Sequence, residues 1–416
     1  MSLVCRSLAL VLVFAVALSL SATAPASAQN AAPGSMAGTP STAEIPSTPV
    51  GEQLGWVLAQ LNGGAATLGE ADIASHFSPS FLSTFPAPAI LDLLRQTGAE
   101  YAPINFAGFA YPPTATGAIA LVEAKSGQRA ALTLTIAPNP PHLITRLALD
   151  DPPAPPSPTG HRVDIGRRSL YLDCTGSGGP AVVLEGGIST DWTSVQPAVS
   201  AQTRVCSYDR PDSPGSHSDP TAERTAQQVV DDLHALLSAA GEPGPYVLVG
   251  HSMGGLYVQL YAYNYPDEVA GLVLVDPTPE EFSARLTDLL ISLGTPIPTP
   301  TGEPTAEQIS FQQMREARAS GMLRPMPLVV ISHGKMPTAD ERPPGWPIAA
   351  EEQLLRELHE EIARLVPNGR HVVAEESGHD IHKEQPALVV EAIKSVIEAV
   401  RDPTTWATPT GAVVSI

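Results

Sequence analysis

Positive charge is scarce in this chain. Lys and Arg total 23 against 43 Asp and Glu, a formal net charge of −20 over 416 residues. Such a surface repels phosphate backbones and anionic lipid, so nucleic acid is excluded as an expected partner. Cysteine is nearly absent, with only Cys5, Cys174 and Cys206. Long apolar runs are missing too. The longest, at 8–20, falls short of the ~20 residues that a spanning helix needs. No internal repeat is visible.

That apolar run, preceded by Arg6 and followed by Ala26-Ser27-Ala28, has the layout of an export signal with a small-x-small cleavage site. No Cys follows the run, so lipid attachment is not indicated. The expected plan is a signal peptide at 1–28 and a disordered Ala/Pro/Ser/Thr-rich stretch at 29–50. Cys5 leaves with the signal, and Cys174 and Cys206 then face an oxidising compartment.

Proline is frequent, with 43 residues. A cluster at 151–160 can be neither helix nor interior strand, because proline lacks the N–H donor and fixes φ. It reads as a linker between two domains. Before it, at 51–150, helices are expected at 51–62 (Leu54, Val57, Leu58 and Leu61 on one face), 70–76 and 89–96. Strands are expected at 117–125, 129–137 and 142–150. This α+β order resembles the cystatin-like or NTF2-like accessory domains of some secreted hydrolases. His76, the only histidine in these helices, reads as a surface or cap residue.

After the linker, strands and helices alternate, which predicts a mostly parallel sheet with helices on both faces. One stretch dominates: Gly250-His251-Ser252-Met253-Gly254-Gly255. An apolar strand precedes it and an amphipathic helix follows, the setting in which G-x-S-x-G forms a nucleophile elbow. The flanking glycines remove side chains that would clash in so tight a turn. The serine hydroxyl then stands beside a helix N-terminus, whose partial positive charge favours a developing oxyanion.

Further segments complete a pattern: Val183-Leu184-Glu185-Gly186-Gly187, Tyr208-Asp209-Arg210, Leu274-Val275-Asp276-Pro277 and Ser377-Gly378-His379. Together these resemble the α/β-hydrolase superfamily across 161–402. The resemblance implies a mostly parallel eight-stranded sheet, a lid at 277–325 and a short tail at 403–416. It also implies a Ser-His-acid triad with Ser252 as nucleophile. His379, on the turn after the last strand, is the expected base. His251 points away from the serine's face, His371 begins a strand at the wrong edge, and His333 and His382 are expected to line the pocket. The third member is open. Relatives place an acid three residues after a glycine following the strand at 328–332, but here Gly334 is followed by Pro337. Asp276, at the end of the preceding strand, is the first choice, and Asp340 is the alternative. Glu375 and Glu376 are too near His379 in sequence to reach round it.

The oxyanion hole is expected from the amides of Met253 and Gly187. Glu185 replaces the usual histidine of that turn, and is expected to bond the turn's backbone or an arginine such as Arg210. In the lid, Phe282, Leu286, Leu289, Leu290, Phe311 and Met314 either face an acyl group or pack on the core. In this fold the strands carrying Cys174 and Cys206 are neighbours, which implies a disulfide.

The expected activity is hydrolysis of a small-molecule carboxylic ester through an acyl-enzyme, by a secreted serine hydrolase without metal or organic cofactor. An exo-peptidase or amidase on the same triad is the enzymatic alternative. A ligand-binding protein on a hydrolase scaffold is the non-enzymatic one. Substrate and oligomeric state are not written in the sequence.

Overall fold

Continuous apolar runs such as Tyr246-Val247-Leu248-Val249 carry no alternation, the mark of strands covered on both faces. The computed structural model describes residues 44–110, 113–150, 157–187, 190–211, 218, 224–294, 304–338, 342 and 345–406. The segment expected as an export signal, most of the proline linker, Asp340 and the tail beyond 406 lie outside them.

The first part contains α1 (Pro49–Leu61), α2 (Glu70–His76), α3 (Pro79–Thr84) and α4 (Ala87–Tyr101). An antiparallel sheet follows, of β1 (Asn105–Phe109), β2 (Gly117–Glu123), β3 (Arg129–Ile136) and β4 (Ile144–Asp150), in the order β1-β2-β3-β4. Leu54, Val57, Leu58 and Leu61 of α1 are buried in a core of their own with Phe77, Leu132, Leu134 and Ile144. Three features were not expected. Helix α4 continues to Tyr101, through a glycine whose added Cβ would lie 2.6 Å from Leu61 O. Gly98 is therefore the point at which two helices touch. The short helix α3 and the strand β1 are additional.

The second part begins with the hairpin β5 (His161–Asp164) and β6 (Ser169–Thr175). It continues through β7 (Val182–Glu185), α5 (Gln196–Ser200), β8 (Val205–Asp209), α6 (Ala226–Ala240), β9 (Tyr246–His251) and α7 (Met253–Asn264). Then come β10 (Val269–Val275), α8 (Phe282–Ser292), α9 (Ala306–Ser320) and β11 (Leu328–His333). The last elements are α10 (Ile348–Ala363), β12 (Arg370–Ala374), α11 (Ile381–Glu384) and α12 (Pro386–Arg401). The eight strands lie in the order β12-β11-β10-β9-β7-β8-β6-β5. All pairs from β12 to β8 are parallel, and β5 and β6 are antiparallel. Alternate strand residues serve opposite cores: Leu248, Leu272 and Val330 pack with α6 and α7, and Val247, Val249, Val273 and Val329 pack with α12.

Register brings Glu185 opposite Gly250, His251 opposite Val275, Val275 opposite Ile331 and His333 opposite Ala374. Five parallel strands thus end along one edge. Cys174 and Cys206 are in register on β6 and β8 and form a disulfide. Closing a loop of 32 residues restricts the unfolded chain by roughly 3 to 4 kcal/mol in the entropic picture. Among the described residues no helix is long and apolar enough to cross a membrane.

Candidate active site

Ser252 joins β9 to α7 with φ 55° and ψ −125°. The positive φ falls on the serine itself, not on its glycines. Those glycines are needed for space: a Cβ on Gly254 would strike Glu185 O, and one on Gly250 would strike Gly254 O. Asp276 also has a positive φ, 44°. Two non-glycine residues in this sparsely populated region, side by side at one sheet edge, fit a functional site. Backbone bonds lock the two turns together, from Ser252 N to Val275 O at 3.1 Å and from Thr278 N to Ser252 O at 3.0 Å.

Asp276 is 3% exposed, and its Oδ2 accepts from His379 Nδ1 at 2.6 Å. Burial alone would raise its pKa. The hydrogen bonds from His333 and His379, and their charge, hold it well below the carboxylate range instead. For His379, burial of the inward edge pushes the pKa down, but the bond to Asp276 and the carboxylate charge outweigh this and raise it. The ring's other edge reaches solvent, with 54% of the side chain exposed. Nδ1 is the nitrogen that Asp276 holds, which leaves Nε2 on the other side of the ring. The ring packs 4.7 Å from that of His251, next to Ser252 in the chain, and His379 O accepts from His251 Nε2 at 2.9 Å. Among the described residues no hydrogen bond joins His379 to the Ser252 hydroxyl. Such bonds often tighten only with substrate in place.

The turn after β7 closes over the serine. A Cβ on Gly187 would lie 2.7 Å from Ser252 Cβ. The Gly187 N–H, expected as an oxyanion donor, is donated to Thr190 Oγ1 at 2.7 Å. The Met253 N–H opens α7 and has no carbonyl one turn earlier in the helix to bond. Glu185 is fully buried, accepting from Arg210 at 3.0 Å and from the Tyr208 hydroxyl. Arg210 also donates to Gly187 O at 3.2 Å and to Gly186 O. The carboxylate is thereby turned away from the serine and neutralised.

Two histidines take unexpected places. His333 does not line a pocket: its ring lies between Asp276 and Glu352 of α10, at 2.8 and 2.7 Å. His382 is fully buried, and among the described residues neither ring nitrogen has a partner. Burial is the main reason that its pKa falls to about 4 and that of His251 to about 3. His251, Asp380 and His382 bring possible ligand atoms within 4.8 Å of one another. Both nitrogens of His251 are already engaged, by Thr190 Oγ1 and His379 O, so no metal is assigned there. Helix α10, with Glu352 and His359, was missed in the sequence. Its signal was present in Leu355, Leu358 and Ile362 at helical spacing.

The segment expected as a lid is pinned where it is described. Ser310 and Gln313 of α9 accept from the first amides of α6, Ala226 N and Gln227 N, at 2.8 and 2.9 Å. Phe311 and Met314 pack into the main core. A cleft of about 370 Å³ between α8, α9 and α10 is lined by Glu280, Glu281, Arg285, Arg315, Arg318 and Glu361 among others, and contains none of the site residues.

Comparison with known proteins agrees with this architecture. Residues 45–139 match a family described as ORF 12 gene product N-terminal. The likeness of this part to cystatin-like or NTF2-like modules stays a reading of the sequence pattern. The uncharacterized protein YqjL of Bacillus subtilis is 31% identical over 235 residues, 53% of this chain and 85% of that protein. Lipase LipV of Mycobacterium tuberculosis is 33% identical over 122 residues, 29% of this chain and 46% of LipV. The pimeloyl-[acyl-carrier protein] methyl ester esterase of Chromobacterium violaceum is 33% identical over 111 residues, 27% of this chain and 42% of that enzyme. Residues 174–392, more than half of the chain and the span from the end of β6 to the middle of α12, match the alpha/beta hydrolase family, to which this protein belongs.

Proposed function

We propose that the protein is a serine hydrolase of carboxylic esters. The observation that carries the reading is the 2.6 Å pair of Asp276 and His379 beside a serine held at a strained strand-to-helix turn. Ser252 attacks the acyl carbonyl while neutral His379 takes its proton. Asp276 fixes the Nδ1–H tautomer and stabilises the imidazolium that forms. The Met253 amide supports the tetrahedral oxyanion. The Gly187 amide joins it when the oxyanion displaces or shares the Thr190 hydroxyl. His379 then protonates the leaving alkoxide, and water releases the acyl group by the reverse sequence. The partial likeness to a lipase and a methyl ester esterase supports esters over amides, as does the modest demand that alkoxide departure makes. We further read the chain as exported, on the Arg6 and Ala26-Ser27-Ala28 pattern together with the disulfide.

Fluorophosphonate labelling tests this reading, with turnover of p-nitrophenyl esters of rising chain length set against an aminoacyl-anilide panel. Stoichiometric labelling that Ser252→Ala abolishes, with ester turnover above anilide turnover, is the expected result. Preference for anilides makes the protein an amidase or exo-peptidase. A folded protein that neither labels nor turns over either panel is a binder, and the reading fails.

A further inference from the structure

Asp276 holds two imidazoles. Its Oδ2 accepts from His379 Nδ1 at 2.6 Å and from His333 Nδ1 at 2.8 Å. Its Oδ1 lies 2.9 Å from the same His333 nitrogen and 3.0 Å from the His333 backbone N–H. On its far side, His333 Nε2 lies 2.7 Å from Glu352 Oε2. Both carboxylates are acceptors only, so a neutral His333 would turn a lone pair toward one of them. The geometry is satisfied when both ring nitrogens carry protons. The side chains of His333, Glu352 and Asp276 are 11%, 7% and 2% exposed, so solvent screens these charges little.

Resting on the triad reading, we propose that Glu352 and His333 form a second carboxylate–imidazole pair behind Asp276 and act as positioning residues that set the basicity of His379. The row Glu352, His333, Asp276 carries charges of −1, +1 and −1, so the one net negative charge that His379 faces is spread over three groups instead of resting on Asp276 alone. The His333 imidazolium draws the Asp276 charge away from His379, and Glu352 returns part of it. The same bonds keep the Asp276 side chain from rotating. Although burial pushes the His333 pKa down, its two carboxylate partners raise it to about 10. The other titratable groups facing this row are His251 at the end of β9, His359 on α10, and Asp380 and His382 after β12. The two carboxylates and Asp380 attract protons onto the neighbouring rings, and the histidines repel one another.

Glu352→Gln and His333→Gln therefore have opposite signatures. Glu352→Gln leaves His333⁺ and Asp276⁻ cancelling, so the acid limb of kcat/KM moves to lower pH, by about half a pH unit or more. His333→Gln removes the positive charge and moves the limb to higher pH by a similar amount. The double variant lies between the two. The test measures ester pH profiles of all four proteins, together with ¹⁵N NMR titration of the His333 and His379 rings. His333 is expected to stay protonated to at least pH 8 in the wild type. His333 titrating between pH 6 and 7, or limbs that move the same way in both variants or do not move, would overturn the proposal. Where His333→Gln fails to fold by circular dichroism, the wild-type titration and Glu352→Gln decide. Ring titration needs no turnover. The expected ring behaviour in a protein that neither labels nor hydrolyses would sink the hydrolase reading alone, whereas normal labelling with a neutral His333 would sink this proposal alone.

Discussion

Glu185 and Asp276 are two buried carboxylates at the same sheet edge, on either side of Ser252, and they keep different company. Glu185 faces Arg210, whose charge is permanent, and the Tyr208 hydroxyl. Asp276 faces two histidines. A carboxylate paired with a guanidinium can brace a turn but has no partner that releases a proton near neutral pH. A carboxylate paired with imidazoles sits where a proton can be taken and returned. The sheet thus provides two similar burial sites, and the cation that each carboxylate meets divides them by whether a proton can move there.

The sharpest way to break this division is to neutralise each acid in turn. Asp276→Asn should lower kcat/KM by about 10³ to 10⁴-fold, because the wrong His379 tautomer is then held, with the fold kept because His333 retains Glu352 as its counter-charge. Glu185→Gln should do the reverse. It should cost about 3 to 5 kcal/mol of stability, measured by urea unfolding, because the buried Arg210–Glu185 pair is broken. Its turnover, measured well below the melting temperature, should stay within about tenfold. Equal losses of activity in the two variants would erase the distinction.

The pH dependence of stability sharpens it further. His251, His382 and His371 have lowered pKa values of about 3, 4 and 4, with burial the first cause in each. Unfolded, each takes up a proton near pH 6.5, whereas folded it does so only near those lower values. The stability they lend is present above pH 6.5 and is lost as pH falls through that window. The melting temperature should drop steeply between pH 6.5 and 4, and His382→Phe should flatten the drop by about one proton in the linkage slope. His333 has the opposite sign. Its contribution is full below pH 6.5 and is lost as pH rises through about 10.

Two smaller effects lie on the Glu185 side. Replacing Cys174 and Cys206 by Ser should lower stability by roughly 3 to 4 kcal/mol and leave turnover unchanged. Thr190→Val should free the Gly187 N–H from its internal acceptor. It should raise kcat/KM by a factor of about five, the worth of one net hydrogen bond near 1 kcal/mol. A fall in rate would mean that Thr190 holds the turn in its working shape.

The fold and the elbow were legible because glycine spacing at 250 and 254 and apolar runs at strand length are local signals. Asp276 could be put forward from sequence only beside Asp340, because the choice depends on where a side chain turns after a strand. Glu352 was not legible. A glutamate in an Ala/Glu-rich stretch reads as a solvated helix face, and its partner His333 lies across the gap between two elements. In the first part, β1 escaped because Gly108 and a shift of register after Phe106 break the alternation of its side chains. Helix α4 is expected to end at residue 96 and continues to Tyr101, because Gly98 serves close contact with α1 and does not end the helix.

The bonds from Ser252 N to Val275 O and from Thr278 N to Ser252 O have a mechanical result. Ser252 and Asp276, the proposed nucleophile and acid, thus ride on one hydrogen-bonded unit. The imidazole comes from another element, the turn after β12, which the bond from His251 Nε2 to His379 O ties to the elbow. Under the proposed mechanism, any adjustment between serine and imidazole then falls on that turn, and a substitution that stiffens or slackens residues 375–380 is expected to change how often the two come within reach.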